Sequence, residues 1–325
     1  MRRRSLLLAP AVAAPPVAGA LAQGPGLPRT VRVIVPYAAG GASDIVARVV
    51  TQAAQGDPGA PAFAVENRGG GASIPGTQAI AAAPPDGATI GVVDTAIVIN
   101  PGLFGARMPY DAERDLAPVG VVATTPLVLV AHPSAEAGSV AALVARMRAQ
   151  PGRMNLGHAG NGTAVHLANA QFLIAAGAEA VVAAYRGGGP LLTALVAGEV
   201  GAGFLSVPAA RPQVEAGRLR ALAVTGPARS AVLPAAPTFA EAGLPAVDAL
   251  PFFGVVAPPG LPAEMVRRLH ALLVAPARAN PAVAARLAEL GYAVVAGGPA
   301  EFATLIRAET AKWRDVIARA GIVPD

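Results

Sequence analysis

The sequence predicts an α/β protein of two domains, each built on a parallel-type sheet, and three observations predict it. A β-branched run, Val31 to Val35, is followed by a glycine-rich break, Pro36 to Gly41, and then by a helical pattern. The same order of strand, glycine loop and helix returns at Met154 to Ala175, around the loop Gly157 to Thr163. Between them, Val119 to Ala131 is long for one strand and is interrupted at Thr124-Thr125-Pro126, which suits a crossover between domains. The length of 325 residues agrees, because single cores rarely grow past about 250 residues.

In chain order, Val31, Val33, Ile34 and Val35 form the first strand. Ser43-Asp44 can cap the helix after it, whose buried side carries Ile45, Val46, Val49 and Val50. Ala62 to Glu66 reads as a second strand, Asn67 to Gly76 as a loop, Thr77 to Ala83 as a short helix and Thr89 to Val93 as a third strand. This is the β-α-β-α-β pattern of a parallel sheet. Beyond the crossover come a helix at Val140 to Ala149, strands at Met154 to Leu156 and Val181 to Ala184, and helices at Ala164 to Ala175 and Leu191 to Ala197. Strands at Val200 to Phe204 and Leu219 to Val224 complete the second domain, and Pro251 to Gly260 reads as a strand returning to the first. The last third is helical: Ala263 to Val274, then a helix capped by Asn280 with Pro281 at its first position and stopped by Gly291. A final amphipathic helix, Ala300 to Ala320, spaces Phe302, Leu305, Ile306, Trp313 and Ile317 to pack onto the first domain.

Residues 1–22 read as an export signal: Arg2, Arg3 and Arg4, an apolar stretch from Leu6 to Ala20, and an Ala20-Leu21-Ala22 cleavage site, with a mature start near Gln23. The stretch is short and broken by Pro10, Pro15 and Pro16, which argues against a membrane anchor. Arg3-Arg4-Ser5-Leu6-Leu7 resembles a twin-arginine signal, although ordinary signals also place arginines before leucines. Removing those three arginines from a formal charge of +5 leaves +2, so no basic stripe invites nucleic acid or anionic lipid. With no cysteine, disulfides, thiolate catalysis and Cys-ligated zinc are excluded. His132, His158, His166 and His270 lack carboxylates at ligand spacing, so neither a metal nor another cofactor is expected.

Both glycine loops open helices, and a helix start offers unpaired N–H groups and a partial positive charge. Each is therefore an anion site in waiting, worth about 0.3–1 kcal/mol.

The chain also resembles the periplasmic receptors of tripartite tricarboxylate transporters, the Bug family. The resemblance rests on Ile34 to Arg48, Val65 to Gly76, Ala83 to Gly87, Ile99 to Phe104, Pro109 to Asp111, GNGT before His166-Leu167, Tyr185 to Leu195, Gly217 to Thr225 and Ala242 to Pro245. Their order and spacing together are specific. What the resemblance implies is a two-domain type II periplasmic-binding-protein fold that closes on a carboxylate. The implied ligand residues are Tyr37, Ala39, Gly40, Gly41, Ser43 and Asp44 on the first loop and Ala159, Gly160, Asn161, Gly162 and Thr163 on the second. The implied domains are 23–125 with 251–325, and 126–250.

Individual residues carry competing readings. Asp44 either accepts from a ligand hydroxyl or amine, as its family counterpart does, or caps the helix and pairs with Arg48. Ser73 lines the cleft, since Pro75 replaces the second glycine that a nucleophile elbow needs and no strand-to-helix turn is evident. His158 stands where the family has a small hydroxyl residue and can donate to a distal ligand group. Leu205 replaces a common acidic residue, which favours a monocarboxylate with an apolar body over citrate, with Tyr185 lining the same space. The expected protein is a monomeric, non-catalytic carboxylate receptor of the periplasm that serves integral-membrane transporter subunits. Its rivals are a secreted α/β hydrolase and a receptor that reports to a sensor.

Overall fold

The computed structural model describes residues 26–323, so the expected signal 1–22 and the start near Gln23 lie outside the described residues. The chain runs β1 (Thr30–Val35), α1 (Ala42–Ala54), β2 (Ala62–Asn67), α2 (Ile74–Ala81), β3 (Thr89–Asp94), α3 (Ala96–Phe104) and β4 (Ala117–Thr124). It then crosses to β5 (Leu127–Ala131), α4 (Val140–Ala149), β6 (Asn155–His158), α5 (Ala164–Ala176), β7 (Val181–Ala184), α6 (Gly188–Ala197), β8 (Ala202–Ser206), α7 (Val207–Glu215) and β9 (Arg220–Val224). The return comprises β10 (Phe252–Ala257), α8 (Ala263–Leu273), α9 (Pro276–Ala279), α10 (Pro281–Glu289), β11 (Ala293–Gly297) and α11 (Pro299–Ala320).

Two sheets result, in the orders β11-β4-β10-β3-β1-β2 and β7-β6-β8-β5-β9. In the first, β1 is parallel to β2 and β3, while β10 runs antiparallel to β3 and β4. In the second, β6 is parallel to β7 and β8, and β5 is antiparallel to β8 and β9. The sheets are thus mixed: strands that follow each crossover enter from the opposite end.

The two crossovers lie side by side. Thr125 N donates to Pro251 O at 2.9 Å, and Thr225 N donates to Leu127 O at 2.8 Å while its hydroxyl accepts from Leu127 N at 2.9 Å. These bonds tie the two crossing segments to each other where the chain passes between the sheets. Helix α11 braces this junction from behind, packing on α3 and β4 and also on α5.

Most elements follow from the pattern of the residues. Asn280 caps α10, its side chain accepting from Ala282 N, and Pro281 takes the first turn. At α1 the outcome differs: the N-cap is Gly41, with no side-chain capping bond, and the buried stripe is Val46, Ala47, Val50 and Ala54. Helices α3 and α7 had no counterpart in the sequence reading. The first is apolar almost all round and contains Pro101, and the second contains Pro212, so neither shows the one-sided periodicity that marks a surface helix. Strand β11 was missed as well; it is a short edge strand beside β4.

Candidate functional site

The loop between β1 and α1 is held open from beneath by Asp44. The carboxylate is 2% exposed. It accepts from Gly40 N at 2.8 Å, Arg48 Nε at 2.9 Å and Asn67 Nδ2 at 3.0 Å, and Asn67 also donates to Tyr37 O at 3.1 Å. Gly40 has φ +80°, a left-handed turn that a side chain would strain. Ala39 and Gly40 are exposed, Tyr37 and Gly41 are half-buried and Ser43 is buried. Because no side chain caps α1, its first N–H groups face outward at the positive end of the helix dipole.

Burial works to raise the Asp44 pKa, but the bonds from Arg48, Gly40 and Asn67 outweigh it and hold the carboxyl below its ordinary value. A carboxyl depressed in the folded state stabilises fully above its unfolded pKa and loses that contribution as pH falls through the folded value. Asp44→Asn should therefore cost about 1–3 kcal/mol near neutrality. Its melting temperature should also fall less than the wild type's as pH drops from about 7 to about 2. Parallel melting curves across that range would contradict the role.

A second wall comes from the β2–α2 loop and from α3. Ser73 is the N-cap of α2 at φ +69°, ψ −5°, and its buried hydroxyl lacks a well-directed hydrogen bond. Asp94 ends β3 and accepts from Tyr37 Oη at 2.7 Å, Ser43 Oγ at 3.2 Å and Ala96 N at 2.9 Å. Burial raises the Asp94 carboxyl, against the pull of these three donors. Burial, reinforced by the Asp94 charge, pushes the Tyr37 phenol well up, and burial takes Tyr110 up to about 12. Fully buried Asn100 donates to Ala72 O at 2.7 Å.

The opposing loop runs from Gly157 to Thr163. Thr163 caps α5, its Oγ1 accepting from His166 N at 3.2 Å and donating to Gly160 O at 2.7 Å. Gly160 N donates to His158 Nδ1 at 3.2 Å. Gly162, at φ +76°, comes so close to the first domain that a Cβ there would lie 2.8 Å from Asn100 Oδ1 and 3.3 Å from Leu103. The second loop therefore meets the wall formed by α3 and the β2–α2 loop, at the carboxyl ends of β3 and β6, the edge at which α/β sheets bind ligands.

Over residues 46–322 the chain matches the family described as "Tripartite tricarboxylate transporter family receptor". The chain belongs to this receptor family. It is 38% identical over 290 residues to the UPF0065 protein in the tcbD-tcbE intergenic region of Pseudomonas sp. (strain P51), covering 89% of this chain and 85% of the relative. It is 33% identical to Protein BugT of Bordetella pertussis, over 90% of each. The structure of R. palustris Rpa4515 with adipate is 32% identical, with a TM-score of 0.83, covering 91% of this chain and 98% of that one. The receptor thus has the two-domain fold of periplasmic binding proteins, and no described helix is long and apolar enough to cross a membrane.

Within the receptor, Tyr37, Ala39, Gly40, Gly41, Ser43 and Asp44 lie on the β1–α1 loop and the start of α1, and Ser73 on the β2–α2 wall beside it. Ala159, Gly160, Asn161, Gly162 and Thr163 lie on the opposing loop, and Tyr185 is bonded to it through its N–H to His158 O at 2.9 Å. Ser73 corrects the sequence reading in one respect: a strand-to-helix turn does surround it, between β2 and α2. His158 is 3% exposed and stacks on His166 at 4.3 Å between ring centroids, so its ring packs toward α5. Leu205 is 2% exposed and belongs to the core formed with Val128, Leu195 and Val207. Alternation along β8 puts Phe204 on one face and Leu205 on the other, which removes Leu205 from the expected ligand space. Asp94 and Asn100 were missed. An acidic residue closing a β-branched strand was the available signal for Asp94; Asn100 had none, because α3 itself was not recognised.

Proposed function

We propose that the receptor captures a small carboxylate between the β1–α1 and β6–α5 loops and passes it, unchanged, to the membrane subunits of a tripartite-type transporter. The close approach of Gly162 on the second loop to Ala72, Asn100 and Leu103 of the first half carries this reading, together with the uncapped start of α1, whose Ser43 reaches the same wall through Asp94. The adipate held by Rpa4515 is a ligand of the same class. Export to the periplasm, a monomeric state and two units divided at 125/126 and 250/251 are parts of the same proposal. A binding role without catalysis is supported by the family's description as receptors.

A thermal-shift screen over mono-, di- and tricarboxylates, including amino acids, tests it. A true ligand at one hundred times its Kd adds about 2.7 kcal/mol of stability, a rise of several degrees. If no carboxylate raises the melting temperature, the proposal is wrong.

A further inference from the structure

The uncapped start of α1 is fastened by a residue 250 positions further along the chain. Tyr292, just before β11, donates its hydroxyl to Ala42 O at 3.2 Å. Ala42 is the first residue of α1, and its carbonyl shares a peptide group with the Ser43 N–H, one of the outward donors. A carbonyl that accepts a hydrogen bond polarises its own peptide and makes that N–H a better donor. The Tyr292 ring is 5% exposed and meets Phe253 edge-on at 5.4 Å. Burial pushes its phenol up to about 12, so the proton that makes the bond stays in place across the neutral range.

The preceding residue joins this contact to the second half. Gly291 O accepts from the Thr125 hydroxyl, on the first crossover, at 3.2 Å. A Cβ on Gly291 would lie 2.9 Å from Pro208 Cγ, so glycine is what lets the start of α7 rest there. Pro208 stands in the first turn of α7, which follows directly on β8 of the second sheet. Beside Gly291 and Tyr292 lies a cavity of about 360 Å³, lined also by Thr124, Pro126, Thr225 and Leu250. On that side the ring is bordered by space, which leaves its placement to Phe253 and to the bond with Ala42.

Resting on the carboxylate-receptor reading, we infer that Tyr292 is a positioning residue of the site. It holds the donor start of α1 and links it, through Gly291, to the point where α7 of the second half bears on the first. The second half then acts on a bound carboxylate along two routes: directly through the Gly157 to Thr163 loop, and indirectly through Pro208, Gly291 and Tyr292. Tyr292 works through α1, without contact to the carboxylate.

Tyr292→Phe keeps the ring and removes only the bond. Hydrogen exchange at the Ile45 amide, which donates to Gly41 O in the first turn of α1, should become about three- to ten-fold faster. That factor should exceed the one at Val92 in β3, which follows overall stability. Pro208→Ala should speed exchange at Ile45 in the wild type and leave it unchanged in Tyr292→Phe, because the link is already cut there. Equal factors at Ile45 and Val92, or Pro208→Ala acting alike on both backgrounds, overturn the inference while leaving the carboxylate receptor intact. Calorimetry with adipate, succinate, acetate and any acid positive in the thermal-shift screen gives the functional arm: Tyr292→Phe should bind about three- to ten-fold more weakly. Unchanged affinity also overturns the positioning role. If no carboxylate binds the wild type, the receptor reading falls and takes this one with it.

Discussion

Gly162→Ala should leave the receptor folded but ten- to hundred-fold weaker in ligand binding. Two effects separate here. The left-handed backbone at φ +76° is strained by any side chain whether the halves are together or apart, so it lowers stability by about 1 kcal/mol. The added methyl meets Asn100 Oδ1 at 2.8 Å and Leu103 at 3.3 Å only when the second loop rests on the first domain. Asn100 cannot retreat, because it is tied to Ala72 O at 2.7 Å. Overpacking of this kind costs about 1–3 kcal/mol, which is one to two decades in Kd. Since only the closed arrangement bears that cost, it appears in affinity. The check is calorimetry and melting on Gly162→Ala beside Gly138→Ala, whose new methyl meets nothing within 4 Å. Equal affinities in the two variants would contradict the contact.

Gly254→Ala should be among the most damaging single changes to stability, at about 3 kcal/mol or more. Gly254 lies in β10, between β3 and β4, and a Cβ there would sit 2.3 Å from the Phe302 ring. That ring is fully buried and packs edge-on against Phe252 at 5.5 Å, so it has nowhere to turn. Phe302→Leu should relieve the clash: the double variant is expected to be more stable than Gly254→Ala alone, although Phe302→Leu alone destabilises by opening a cavity. Urea midpoints at unchanged m-values measure this. A double variant no better than the single one would refute the clash.

Much of this architecture was legible because local chemistry and tertiary demand coincide. Val31 to Val35 is β-branched and becomes a fully paired inner strand, and Asn280-Pro281 starts a helix in the sequence and in the fold. The interruption at Thr124-Thr125-Pro126 coincides with the passage from one sheet to the other. What stayed hidden depended on long-range packing. α3 carries apolar residues on every side because it is enclosed by α11, α2 and β3, so its sequence has no polar face to betray its period. With α3 unseen, Asp94 was an unremarked strand end and Asn100 part of a motif without geometry. Leu205 differs for another reason: the resemblance sets an acidic residue at that position, whereas the leucine itself packs into the core with Val128 and Val207. His158 likewise bends back to its own loop and to His166, a choice settled by the approach of α5.

The bracing helix α11 carries the chain's single tryptophan, fully buried at position 313. Lys312 Nζ stands 4.9 Å from the ring centroid and 2.9 Å from the carboxylate of Asp248, which also accepts from Gln171 of α5 at 2.8 Å. The indole therefore sits beneath a positive charge whose position is tied to the other half of the molecule. Indole emission responds to such a field, so the fluorescence of the unlabelled receptor is expected to report any movement of α11 against α5.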